Sequence, residues 1–230
     1  MPDVLGVRVD ILSRQAVREK ILHYLKAESS TSHFIVTANV ELYYQAAKQP
    51  ELKQVLNSAD LCVPDSTGII WALYRQGINN AELYPGIELA EWLLGLGESV
   101  YVLGAQEAVV SKLTQKNIIG RHHGFFNAVE EKQIINEINR LKPKIVLVGL
   151  GAGKQELWIA KNKDHLDTCI LIGIGGSIDV LSGFKKRAPL FWRKLHLEWL
   201  YRLLKEPSRW RRQTVLFSFW CTIRKNIINR

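Results

Sequence analysis

Two stretches of this chain end a β-branched, apolar run in small polar residues that could do chemistry. Phe34-Ile35-Val36-Thr37-Ala38-Asn39 closes on a hydroxyl and an amide. Leu61-Cys62-Val63-Pro64-Asp65 closes on a carboxylate, followed by Ser66-Thr67-Gly68. A carboxylate at a strand end can take the proton of an attacking hydroxyl, while neighbouring hydroxyl and amide groups orient the reactants. Asp65 is also suited to cap the helix that its followers begin, and the residue taken alone favours the N-cap over the base.

Three other turns offer backbone instead of side chains. They are Leu103-Gly104-Ala105, Gly149-Leu150-Gly151-Ala152-Gly153-Lys154-Gln155-Glu156, and Gly173-Ile174-Gly175-Gly176-Ser177-Ile178-Asp179. Glycine after a strand lets N–H groups close on a phosphate, and a following helix start favours negative charge. Neither the P-loop spacing nor G-x-G-x-x-G is present, which counts against an NAD enzyme. One such turn is also a plain tight connection; three together favour a nucleotide or a nucleotide-sugar diphosphate. Glu156 and Asp179 remain divided between ligand contact and cap or salt bridge. The six histidines show no metal-ligand spacing, and no metal or other cofactor is expected.

The elements that would position these residues alternate. Strands are expected at 33–38, 60–64, 100–103, 118–121, 144–148 and 169–174, after a strand or hairpin within 4–12. Helices are expected from Ser13, at 40–48, 50–57, 66–75, 87–96, 106–115, 129–141 and 153–163, with a short one after Ser177. This order implies an α/β fold, a Rossmann-like, mostly parallel sheet with helices on both faces. Right-handed crossovers then bring every strand-to-helix turn to one edge, where such folds bind ligands.

From Pro189 the alternation stops. Leu197, Leu200, Tyr201 and Leu204 make a helical stripe, and four of the seven tryptophans (Trp192, Trp199, Trp210, Trp220) fall in this tail. Residues 184–230 hold 13 Lys+Arg against 2 Asp+Glu, leaving 18 basic and 20 acidic groups for residues 1–183. The excess of +9 is thus a property of the tail alone. Basic residues mixed with Trp and Leu on helices suit an anionic membrane interface. We expect a catalytic core over 1–188 and a basic amphipathic helical appendage over 189–230. Cys62, Cys169 and Cys221 are scattered and fit a reducing cytoplasm. With no secretory pattern at Met1-Pro2-Asp3-Val4 and no apolar run near the ~20 residues of a membrane span, the expected place is the inner face of the cell membrane, held peripherally.

Several blocks then occur in a fixed order: Thr37-Ala38-Asn39-Val40-Glu41, Asn57-Ser58-Ala59-Asp60, Pro64-Asp65 with Gly68, and Gly149-Leu150-Gly151 with Gln155-Glu156 and Trp158. Gly173, Gly175-Gly176 and Asp179 follow, then Arg187-Ala188-Pro189, and Leu197 through Glu206-Pro207 with Arg209. Over about residues 6–212 this closely resembles the bacterial WecG/TagA/CpsF glycosyltransferase family. The resemblance implies an inverting transferase that moves an N-acetylmannosamine-type sugar from a UDP-sugar donor to N-acetylglucosamine on undecaprenyl pyrophosphate, in teichoic acid or polysaccharide synthesis. It implies Asp65 as the base, with Thr37 and Asn39 placing the sugars or leaving phosphate. Gly104, Gly149, Gly151, Gln155, Glu156, Gly175, Gly176 and Asp179 would hold the UDP-sugar. Arg187, Arg202, Arg209 and Arg212 would meet the lipid pyrophosphate or the membrane.

Ser66, Gly153 and Leu83 depart from the family pattern, which leaves the donor sugar open. A second reading is a catalytically altered module of the same fold that binds a membrane periphery or nucleic acid, although nucleic acid is not the expected partner of the first reading. A homo-oligomer is compatible with either.

Overall fold

The computed structural model describes residues 1–26, 32–195, 197–205 and 210–228. β1 (Asp3–Val4) and β2 (Val7–Arg8) make an antiparallel hairpin through Leu5 and Gly6, both at positive φ as a two-residue hairpin requires. α1 (Arg14–Lys26) opens with the Ser13 hydroxyl accepting from Ala16 N, the capping expected of that serine. β3 (His33–Ala38), α2 (Val40–Ala46), α3 (Pro50–Asn57), β4 (Leu61–Pro64) and α4 (Thr67–Tyr74) follow. Then come α5 (Gly86–Gly95), β5 (Val100–Gly104), α6 (Glu107–Val110), β6 (Ile118–His122) and α7 (Ala128–Leu141). The core closes with β7 (Ile145–Gly149), α8 (Lys154–Asn162), β8 (Ile170–Gly173) and α9 (Ser177–Leu181); α10 (Leu190–Lys194), α11 (Glu198–Lys205) and α12 (Trp210–Ile228) form the tail.

β3 through β8 build one six-stranded sheet in the order β4-β3-β8-β7-β5-β6, every neighbouring pair parallel. The α/β fold expected from the sequence is the one observed. Strand periodicity divides the core in two. Phe34, Val36, Cys62, Tyr101, Leu103, Val146, Val148 and Leu171 face α2, α3, α4, α7 and α8. Ile35, Leu61, Val63, Val100, Val102, Ile145, Leu147, Ile170 and Ile172 face α1, α5, α6 and α9. Strands buried on both sides have to be apolar throughout, which is why these runs lack a polar phase.

The helix expected over 106–115 is much shorter. α6 ends at Val110 because the chain must turn back at once to pair β6 with β5. The Arg121 guanidinium takes the Leu113 carbonyl, and the Asn117 amide bonds the carbonyls of Leu94 and Glu98. These bonds hold the chain after Val110 in a non-helical path into β6.

The tail divides between core and surface. Phe219 and Ile223 of α12 are buried in the same cluster as α2, and Trp220 stacks on Trp71 of α4. Leu190 and Phe191 of α10 and Trp199 and Leu204 of α11 are exposed. Among the described residues no helix is long and apolar enough to cross a membrane.

Candidate active site

Because all six strands run in one direction, their carboxyl ends form a single edge, and the sheet order fixes the sequence of groups along it. From one side these are Asp65 after β4, Thr37 in β3, Gly173–Gly176 after β8, Gly149–Gly153 after β7, and Gly104 after β5. The chain leaves β5 toward β6 over one face and leaves β7 toward β8 over the other, so the connections diverge between β5 and β7. Such a divergence opens a crevice at the strand ends, the usual ligand site of an open α/β sheet.

The backbone packs closely at this point. Gly104 and Gly149 are register partners, and Gly104 holds φ +143° with room for no side chain: an added Cβ would lie 2.4 Å from the Gly149 oxygen. Gly124 completes the group by donating its N–H to the Ala105 carbonyl at 2.9 Å. Gly151 (φ +94°) and Gly176 have open space where a side chain would stand. At the start of α8 the Gly153 and Gln155 N–H groups are already taken, by Glu156 Oε2 and the Gly151 carbonyl.

Gln155 and Glu156 lie beneath these turns, both buried. Gly175 N–H donates to Gln155 Oε1 at 3.1 Å, Gln155 Nε2 donates to Glu156 Oε1 at 2.7 Å, and Gly153 N–H donates to Glu156 Oε2 at 2.8 Å. One chain of hydrogen bonds thus fixes the turn after β8 against the turn after β7. Gly173 packs tightly above it: a Cβ there would stand 2.6 Å from the Gln155 amide, which would have to give up its place in this chain. Burial pushes the Glu156 carboxyl up to about 7, against the donors that pull it down. Asp179, in the first turn of α9, pairs with Lys185 at 2.8 Å.

At the other end of the edge the groups are side chains. Thr37 is buried and its hydroxyl donates to the Gly173 carbonyl at 2.8 Å, tying β3 to β8 just below the surface. Asn39 caps α2: its Oδ1 accepts from Leu42 N at 3.0 Å, and its Nδ2 makes only a long contact with Thr37 O. Asp65 continues the ladder by donating its N–H to Ala38 O, and its Oδ1 accepts the Gly86 N–H at 2.5 Å. The helix start it meets is therefore that of α5; α4, which follows Asp65 in sequence, has Ser66 at its N-cap position with no side-chain cap bond. Sequence spacing could not reveal this, because Gly86 arrives from 21 residues away. Gly86 has no side chain to spare: a Cβ would stand 3.2 Å from Thr37 Cγ2 and 3.5 Å from Asp65 Oδ1. Ser66, beside the carboxylate, has a buried hydroxyl with no protein hydrogen-bond partner, and sequence reasoning gave it no role.

The basic candidates are more dispersed. Arg187 is largely buried and binds Glu88 Oε1 at 2.7 Å, with Glu91 at 3.6 Å. Arg209 lies outside the described residues, as do the side chains of Arg202 and Arg212 on α11 and α12. No cluster of three His, Cys, Asp or Glu among the described residues could hold a metal ion.

A doubly wound parallel sheet, glycine turns where its connections diverge, and a carboxylate at the far end of the same edge make up the candidate site. The chain belongs to the glycosyl transferase WecG/TagA/CpsF family, whose model matches residues 2–230. It is 35% identical over 217 residues to the N-acetylglucosaminyldiphosphoundecaprenol N-acetyl-beta-D-mannosaminyltransferase of Staphylococcus aureus strain MW2, covering 90% of this chain and 85% of that relative. The enzyme of the same name from strain NCTC 8325 is similar to the same extent.

Proposed function

We propose that this glycosyltransferase moves N-acetylmannosamine, or a closely related sugar, from a UDP-sugar to N-acetylglucosaminyl-pyrophosphoryl-undecaprenol, with inversion, at the cytoplasmic face of the membrane. The observation that carries this reading is the common edge that joins the Asp65 carboxylate to the glycine crevice. β4 and β7 are three strand spacings apart, about 14 Å, comparable with the length of an extended nucleoside diphosphate-sugar. With UDP over Gly104, Gly149 and Gly151, the sugar reaches toward Gly173–Gly176 and Thr37. The acceptor hydroxyl then enters from the Asp65 side.

In that arrangement the hydroxyl oxygen attacks the anomeric carbon from the face opposite UDP, its proton passes to Asp65, and the electron pair of the breaking C–O bond leaves on the diphosphate. Fixed N–H groups at the turns stabilise the charge that develops on UDP. The acceptor and the transferred sugar are also those in the names of the S. aureus relatives. Peripheral attachment is supported by the exposed apolar side chains of α10 and α11 within the basic tail, because each basic residue near an anionic surface contributes about 1 kcal/mol.

The test is transfer from UDP-N-acetylmannosamine to a short-chain lipid-pyrophosphate acceptor. Asp65→Asn keeps the oxygen that accepts from Gly86 but removes the base, and we expect a rate loss on the order of 10²–10⁴. Undiminished activity in that variant would remove Asp65 as the base. No transfer from any UDP-sugar would sink the substrate reading. Cosedimentation of the full chain with phosphatidylglycerol vesicles, but not phosphatidylcholine vesicles, is expected; equal recovery with both would dismiss the electrostatic attachment.

A further inference from the structure

α5 begins without a side-chain cap of its own: Pro85 stands in the capping position and makes none. Its first N–H, that of Gly86, is instead satisfied by Asp65. The orientation of the carboxylate and the position of the helix start are consequently one variable. Two residues further on, still in the first turn, Glu88 is held from both sides. Arg14 Nη1 meets Glu88 Oε2 at 2.8 Å and Arg187 Nη2 meets Glu88 Oε1 at 2.7 Å. Arg14 is fixed in turn by the Leu83 carbonyl at 2.7 Å and by lying over the Tyr84 ring. Arg187 belongs to the segment that leads from α9 into the basic tail, 99 residues from its partner.

From this geometry, and resting on the transfer reaction proposed above, we infer that Glu88 and Arg187 are positioning residues: the Arg14–Glu88–Arg187 chain clamps the first turn of α5 and so sets Asp65 against the acceptor hydroxyl. The clamp couples the base to the entry of the tail. Glu88 supports it as an anion. Burial raises its carboxyl, but the hydrogen bonds and charges of Arg187 and Arg14 prevail and hold it below the usual range. A displacement of about 1 Å in a reacting group costs around 10²-fold in rate, so loosening the turn should appear in kcat.

One feature of Arg187 favours direct phosphate contact instead, namely a buried Nε with no protein partner. The two roles separate experimentally. In the full chain, Glu88→Gln and Arg187→Ala are each expected to lower kcat about 10- to 100-fold, with the acceptor KM nearly unchanged. The double variant should be no worse than the poorer single one, because both break the same link. Arg187→Lys should recover part of the loss, and amide exchange over residues 84–93 should quicken in both single variants. A raised acceptor KM in Arg187→Ala, with Glu88→Gln at the parental rate, would overturn the clamp and make Arg187 a phosphate ligand. Unchanged exchange over 84–93 would overturn it as well. If the parent chain transfers no sugar, the donor and acceptor assignment fails, while the exchange measurement still decides the clamp.

Discussion

Glu156→Gln offers the sharpest test of how the two glycine turns are held. The carboxylate is wholly buried and ends a chain in which every donor points the same way: Gly175 N–H to Gln155, the Gln155 amide to Glu156, and Gly153 N–H to Glu156. Burial raises the folded-state carboxyl from 4.5 to about 7. Below 4.5 both folded and unfolded chains carry the proton; between 4.5 and 7 the unfolded chain loses it first. The folded state then binds more protons, so its stability falls as pH rises through that window and levels off above it. At about 1.4 kcal/mol per pH unit the whole effect is roughly 3 kcal/mol, most of it between pH 5 and 8. Glutamine does not titrate, but it sets an N–H against the Gln155 donor and orphans one of them, a cost of about 1–3 kcal/mol at every pH. Urea unfolding followed by tryptophan fluorescence should show the variant weaker at pH 5, and the gap should close or reverse by pH 8. Parallel stability curves for parent and variant would refute the reasoning, since they would mean that Glu156 does not titrate in this window.

Two further substitutions probe other parts of the edge. Gly86→Ala gains up to ~1 kcal/mol of helix propensity but sets a methyl 3.2 Å from Thr37 and 3.5 Å from Asp65; melting temperature should move by only a few degrees while kcat falls, and equal losses in both would point to general misfolding. Phe219→Ala empties a buried site between α12 and α2 and should cost about 3–5 kcal/mol by denaturant titration; a change under about 1 kcal/mol would mean that α12 is not part of the core.

The glycine end of the candidate site was legible because it is built from backbone. Gly104, Gly149 and Gly151 announce themselves as glycines after apolar runs, and parallel topology does the rest. The Asp65 end was only half legible. Asp65 could be marked by its place after Pro64, but its partner Gly86 and the ion pairs of Glu88 come from 21 to 99 residues away, beyond the reach of local spacing. The same holds after α6, where the Asn117 amide bonds the carbonyls of Leu94 and Glu98 from 23 and 19 residues away. Asn39 shows the converse limit. An amide at a strand end has the same signature whether it faces a substrate or caps α2, and only the 3.0 Å bond to Leu42 N distinguishes them.

Charge marked residues 184–230 as one tail, yet packing splits it. Phe219 and Ile223 are as buried as the sheet residues they share a cluster with, and Trp220 leans on Trp71 of α4, the helix that follows Asp65. An apolar helix face covered in this way contributes on the order of 2–3 kcal/mol per large side chain, so α12 stabilises the face formed by α2 and α4. α10 and α11 leave Leu190, Phe191, Trp199 and Leu204 exposed, and α12 itself exposes Phe217 beside its buried face. Removing the whole tail would thus uncover core and candidate membrane surface together, and lost activity in such a truncation could not be assigned to either. Substituting Phe191 or Leu204 alone leaves the α12 packing intact, so a fall in vesicle binding without a fall in stability would isolate the surface contribution.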